Sequence, residues 1–291
     1  MKNKLALSFE LIRPHQWIKN IFCFAGVAFG KYYSSAYIFK ASLVFLTFCF
    51  ASSCVYILND IIDAEADRHH ATKKNRPLAA KKLTFAFAYY LASLFLILTI
   101  TVSIFAGLPV LAFAISYILL NIAYSLKLKN IVILDVFIIS IGFLFRLLAG
   151  TIGLGIFASD WLVLCTLMIT LLLGFSKRRA ELLMNKTSLH QETFPSPTRR
   201  VLDSYTGIML DIFIAITASC SILSYSLFVI LTNQSELIYT IFFVLYGIFR
   251  YLFRLYQYGD GQDTANELLN DPHSMLAGVL WLAIYLHTLL R

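Results

Sequence analysis

Apolar runs close to the twenty residues that a membrane-spanning helix needs alternate along the chain with short polar connections. They predict nine transmembrane helices, at 17–30, 37–58, 83–106, 108–125, 131–154, 159–176, 205–231, 236–256 and 274–290. Ahead of them, residues 1–16 read as a helix lying in the membrane interface, with Leu5, Phe9 and Ile12 on one side and Lys2, Lys4, Glu10 and Arg13 elsewhere. Glu10, Arg13 and Pro14 interrupt what would have to be the apolar stretch of a signal peptide, so no cleavage is expected. The pattern predicts an all-α, polytopic membrane protein forming a single domain over 1–291.

Composition agrees with that pattern. Hydrophobic residues make up 59% and charged residues 14% of the 291 positions, far from the rough half and quarter of soluble domains, which excludes a soluble protein. The net charge of +8 lies between apolar segments and forms no stripe or module for nucleic acid. It instead orients the helices. With the N-terminus inside, 20 of the 24 Lys and Arg residues fall in interior segments, as short cytoplasmic loops require. Nine spans then put the C-terminus outside, and the polar connections converge on the cytoplasmic face of what is read as a bacterial inner membrane. Cys23, Cys49, Cys54, Cys165 and Cys220 all lie in apolar runs without zinc spacing, and read as buried thiols.

The candidate chemistry lies between Asn59 and Leu78, at the exit of the second span. Asp60, Asp63 and Asp67 recur at i, i+3 and i+7, which on one continuous helix would share a face. Such a cluster repels itself unless a cation relieves it, and Mg²⁺ prefers carboxylate oxygens while leaving positions for substrate phosphates. Arg68, Lys73, Lys74 and Arg76 follow directly and suit phosphate oxygens. The stretch therefore reads as a diphosphate site. On the fifth span, Asp135 and Arg146 differ by eleven residues and share a helix face, and charges at such depth mark a function or a buried pair. The last polar loop, 256–273, carries Asp260, Asp263, Glu267 and Asp271 among glycines and reads as a solvated loop.

N-D-I-I-D-A-E-A-D at 59–67, leading into K-N-R-P-L, resembles the first aspartate-rich motif of the UbiA superfamily of intramembrane prenyltransferases. R-P-H-Q-W-I-K-N at 13–20, Y-S-L-K-L-K at 124–129, L-D-V-F at 134–137, F-R-L-L-A-G at 145–150 and K-R-R-A-E-L at 177–182 resemble the branch typified by decaprenyl-phosphate phosphoribosyltransferases. The resemblance implies nine helices around a central cavity, and transfer of phosphoribose from 5-phosphoribosyl 1-diphosphate to a polyprenyl phosphate. Asp60, Asp63 and Asp67 would hold Mg²⁺. Asn59, in the same motif, would bind substrate. Lys19, Asn20, Lys73, Arg76, Tyr124, Lys127, Asp135, Arg146, Lys177, Arg178 and Glu181 would bind substrate. Aromatic prenyltransferases of the superfamily carry a second aspartate-rich motif where this chain has Lys177, Arg178 and Glu181, which favours two phosphorylated substrates. The alternatives are an aromatic prenyltransferase using a polyprenyl diphosphate, separable by its donor, and a membrane transporter, separable by uptake without a covalent product.

Overall fold

A computed structural model describes all residues except 1–3, 31, 70–72, 190–199, 232–234, 262–266, 268 and 291. The described residues form helices and no strand, and pack as two compact units, 1–158 and 159–291. The first unit holds α1 (Lys4–Ile12), a 3₁₀ segment (Pro14–Phe24), α2 (Ala25–Gly30), α3 (Ser35–Ile62), α4 (Ala64–Arg68), α5 (Phe85–Ala106), α6 (Leu108–Leu126) and α7 (Leu134–Gly150). The second holds α8 (Asp160–Leu189), α9 (Gly207–Leu231), α10 (Ile238–Tyr258) and α11 (Pro272–Leu290). Among the described residues seven helices, α3 and α5 to α10, are long and apolar enough to cross a membrane, and they correspond to the second to eighth expected spans. The ninth expected span forms as α11, a helix of 19 residues.

The first expected span differs in kind. Residues 17–24 continue a 3₁₀ helix of eleven residues that starts at Pro14, inside the expected interfacial helix, and α2 adds six more, where an uninterrupted α-helix over 17–30 was expected. Rise accounts for the difference. At about 2.0 Å per residue in 3₁₀ and about 1.5 Å in α, the seventeen residues reach about 31 Å, against about 26 Å as a pure α-helix and a hydrocarbon core of about 30 Å. Three residues per turn also stack Trp17, Asn20 and Cys23 in one row. Trp17 Nε1 donates to Ser53 Oγ at 3.0 Å, and Asn20 and Cys23 are fully buried. The row ends in a backbone contact with α7. A Cβ on Gly150 would stand 1.9 Å from the Cys23 carbonyl oxygen, and one on Gly26 would stand 2.2 Å from the Gly150 carbonyl. Only glycine permits that approach, the small-residue contact by which membrane helices pack closely.

α3 brings the acidic stretch out of the apolar layer. Its 28 residues extend about 42 Å, longer than the core, so Asn59 and Asp60 lie at its far end. The connection to α5 folds back because Leu78 and Leu83 are buried with Leu7 and Leu11 of α1 and Ile57 of α3. α5 and α6 form a hairpin through one residue, Gly107, at φ 134, with Pro109 in the first turn of α6. α6 therefore returns to the end where α3 stops and α7 begins.

In the second unit, Arg179 Nε donates to Asp211 at 2.7 Å and Tyr256 Oη donates to the same carboxylate at 2.8 Å, joining α8, α9 and α10. Arg179 is thus an interhelical partner. The reading of 256–273 as a solvated loop needs correction at Asp271, which is 1% exposed. Asp271 accepts from Arg250 Nη2 at 2.7 Å, from Arg254 Nη1 at 3.0 Å and from the backbone N–H of Ser274 at 2.9 Å, so it both pairs with α10 and caps α11. The bonds from Arg250 hold its carboxyl well below the usual carboxylate range. Asp263 lies outside the described residues. Asp271→Ala should lower the thermal midpoint of the purified protein, with loss of the cap alone worth about 1 kcal/mol. Asp260→Ala, which removes only a pairing with Arg254, should lower it less.

Candidate functional site

At the polar end of the first unit, the three aspartates each meet a cation. Arg13 Nη2 donates to Asp60 Oδ1 at 2.5 Å. Arg76 Nη1 donates to Asp67 Oδ2 at 2.6 Å and to Asp60 Oδ1 at 3.2 Å. Lys129 Nζ donates to Asp63 Oδ1 at 2.6 Å. Asn59 Oδ1 accepts from Ser125 Oγ, which ties the start of the motif to α6. Asp60 and Asp67 are buried, while Arg13, Arg76 and Lys129 are each about a quarter exposed. Asp60 and Asp67 form the floor, and Arg13, Arg76 and the Lys129–Asp63 pair the rim.

The three carboxylates take different partners. α3 ends at Ile62, Asp63 sits in a one-residue turn at φ −91°, and α4 restarts at Ala64, with the backbone bonds Asp63 N–H to Asn59 and Asp67 N–H to Asp63 running through the turn. Asp60 and Asp67 meet on Arg76, and Asp63 pairs with Lys129. Local backbone strain gathers here as well. Among the described residues, the non-glycine positions with positive φ are Arg13 (56°), Lys81 (55°) and Ile133 (70°), all flanking this end of the unit. Ile133 is β-branched and therefore costly in that region, a feature that concentrates at functional sites.

Arg146 and Asn20 lie elsewhere. Arg146 Nε donates to Asn20 Oδ1 at 2.7 Å, Nη1 to the Gly142 carbonyl at 2.7 Å and Nη2 to Tyr117 Oη at 3.0 Å. The guanidinium also faces the rings of Tyr117 and Phe143, at 4.5 and 5.2 Å from their centroids. Asn20 Nδ2 in turn donates to Cys49 Sγ at 3.3 Å. Asn20 is about 14 Å along the 3₁₀ segment from Arg13, and Arg146 is about 18 Å along α7 from Leu134, so both sit well below the acids. Asn20, expected to bind substrate, is fully buried and bonded to Arg146 and Cys49. Asp135, in the first turn of α7, is too far along the helix to pair with Arg146, by about 16 Å.

Of the other expected residues, Lys127 is exposed and Lys19, Lys73 and Tyr124 are partly buried. Lys177, Arg178 and Glu181 belong to the second unit, where Arg178 is 1% exposed and donates to Glu181 Oε2 at 2.5 Å. Arg13, Ser125 and Lys129 were absent from the expected set. Their motifs were visible, but Arg13 is 47 residues from Asp60, and Ser125 and Lys129 are each 66 residues from their partners, so no local spacing marks the pairing.

The family model for UbiA prenyltransferases matches residues 20–270. The chain belongs to the UbiA prenyltransferase family. A decaprenyl-phosphate phosphoribosyltransferase of Corynebacterium glutamicum is 34% identical over 75% of this chain and 65% of its own length. One of Mycolicibacterium smegmatis is 34% identical over 78% of this chain and 71% of its own. Among solved structures, a UbiA homologue from Archaeoglobus fulgidus bound to GPP and Mg²⁺ covers 98% of this chain and 100% of its own, with a TM-score of 0.71 at 15% identity. That likeness establishes the UbiA fold, and with the apolar helices an integral membrane protein.

Solved structures of that UbiA homologue hold Mg²⁺ or Cd²⁺. Among the described residues, no group of three or more His, Cys, Asp or Glu side chains comes together as a metal site, so the three-carboxylate platform expected from spacing is not assembled. Two carboxylates are nevertheless enough, because Mg²⁺ is usually held by one or two, with substrate phosphates completing its shell. Asp60 and Asp67 meet that requirement, since one nitrogen of Arg76 already bridges them. The donor set is hard oxygen and fits Mg²⁺.

Proposed function

We propose that this protein transfers 5-phosphoribose from 5-phosphoribosyl 1-diphosphate to a polyprenyl phosphate and releases diphosphate. The observation that carries this reading is the naming of the 34% identical relatives as decaprenyl-phosphate phosphoribosyltransferases. The cation-rimmed acidic floor of the first unit supports it, being suited to an anionic donor. The proposed site faces the cytoplasm in a bacterial inner membrane, with the N-terminus inside and the C-terminus outside. An N-terminal tag digested in intact spheroplasts would contradict that orientation.

Asp60 and Asp67 would hold Mg²⁺, with Asp63 beside them, and the ion when bound neutralises charge on the leaving diphosphate. Arg13, Arg76 and Lys129 take phosphate oxygens, with Lys73 and Lys127 as further cations from the same connections. Lys177 and Arg178 are assigned phosphate recognition by their charge, and Asp135 and Glu181 the ribose hydroxyls or the orientation of basic groups. A phosphate oxygen of the lipid attacks the anomeric carbon as the bond to diphosphate breaks, and the electron pair leaves with diphosphate. The acceptor phosphate is already ionised, so no general base is needed. Positioning and fixed charge supply the rate.

The test uses purified protein, radiolabelled phosphoribosyl diphosphate and decaprenyl phosphate. Label should enter the lipid fraction, stop entering it on chelation and resume with Mg²⁺. Label that stays out of the lipid, while a prenyl diphosphate is transferred to an aromatic acceptor, would replace this reading with the aromatic one. Transfer that continues in chelator would remove the metal from it.

A further inference from the structure

We propose that Arg13, Arg76 and Lys129 are exchangeable counter-cations of the acidic motif: they occupy its carboxylates before metal binds and pass to diphosphate oxygens when a divalent ion takes their place. The inference rests on the reading of the motif as a metal–diphosphate site and adds the order in which that site fills. Among the described pairs three carboxylates meet three cations, so these six groups are together neutral. Arg76 Nη1 lies between Asp60 and Asp67, at 3.2 and 2.6 Å, where an ion bridging the two would have to sit. An ion cannot enter without moving it. Burial says which partner moves: Asp60 and Asp67 are 2% and 6% exposed, whereas Arg13 and Arg76 are 22% and 27% exposed. At the third pair burial does not decide, since Asp63 is 33% and Lys129 26% exposed; there it is the flexible stem of Lys129, reaching Asp63 from the 3₁₀ turn Leu128–Asn130, that lets the cation move.

The electrostatic consequence has a sign. A divalent ion entering a neutral cluster leaves an excess of two positive charges, which an arriving diphosphate cancels. Metal alone therefore binds weakly, and metal with diphosphate binds strongly. Removing one rim cation makes the cluster net negative, which favours metal alone and disfavours the metal–diphosphate pair. At separations of a few ångströms in a partly buried site, one unit charge is worth about tenfold or more in each direction.

The experiment measures Mn²⁺ binding by electron paramagnetic resonance to the full chain in neutral phosphatidylcholine nanodiscs, with and without inorganic diphosphate. Arg13→Gln and Lys129→Gln should each tighten Mn²⁺ alone by about tenfold and weaken Mn²⁺ with diphosphate by a similar factor. A purely structural ion pair would move both in one direction or neither. Lys129, in an exposed turn, guards against loss of folding. Mn²⁺ binding that is unchanged or weaker in both variants overturns the exchange. No Mn²⁺ binding in any form, with or without diphosphate, removes the metal reading along with it. Opposed shifts without phosphoribosyl transfer would refute the donor assignment alone.

Discussion

Replacing Asp60 with asparagine should cut phosphoribosyl transfer by about three orders of magnitude, because each ~1.4 kcal/mol of lost charge stabilisation is tenfold and a bound metal supplies several kcal/mol. Asp60 accepts from both Arg13 and Arg76 and is 2% exposed, so it joins the two rim arginines to the acidic floor. The amide keeps the shape of the side chain and removes its charge. Both arginines are then left without that anion, and a metal held as proposed would lose one of its two carboxylates. Glu65→Gln is the control. Glu65 is 76% exposed and pairs only with Arg68 one turn away, so its replacement should change turnover by less than about twofold, as exposed pairs contribute little. Rates are measured beside the unfolding midpoint of each variant. Equal losses at positions 60 and 65 would mean that the acidic end acts by bulk charge and not through a metal held by Asp60.

Arg146→Ala should be the most destabilising substitution in the first unit. Its guanidinium satisfies Asn20, the Gly142 carbonyl and Tyr117 within a layer where water cannot replace it. Truncation leaves buried acceptors unpaired at about 1–3 kcal/mol each, so a total loss of roughly 3 kcal/mol or more is expected. Arg146→Lys retains the charge but cannot reach three directions with one ammonium, and should recover only part of the stability. The readout is the thermal midpoint of detergent-solubilised protein, together with the Michaelis constant for the phosphoribosyl donor. A donor constant raised at least tenfold at an unchanged midpoint would assign Arg146 to substrate and undo its description as an internal tie. The contact also explains why a 3₁₀ segment as long as eleven residues persists where runs beyond three or four are uncommon: Trp17 and Asn20 anchor it from within.

Much of this protein is legible along the chain. Hydropathy located the seven helices that meet the criteria for a span, because burial in a bilayer is a property of a contiguous stretch and needs no knowledge of its neighbours. The acidic motif and the basic residues after it could be read for the same reason, as chemistry concentrated within twenty positions. The inner ends of the helices were harder. The i, i+3, i+7 spacing of Asp60, Asp63 and Asp67 gathers three acids, and gives no sign that Asp60 and Asp67 share Arg76 while Asp63 takes Lys129. The first span was read as an α-helix because hydropathy does not distinguish 3₁₀ from α.

What the sequence determined alone is therefore which segments are apolar enough to enter the membrane, and which polar residues are left at their ends. Tertiary structure decided which cation meets which acid: Arg13 for Asp60, Arg76 for Asp60 and Asp67, Lys129 for Asp63. It also turned Arg146 toward Asn20 and Tyr117, away from any carboxylate partner. The physical reason is range. Transfer into an apolar layer is summed residue by residue along the chain, whereas an ion pair forms only where packing brings side chains within about 4 Å, whatever their separation in sequence.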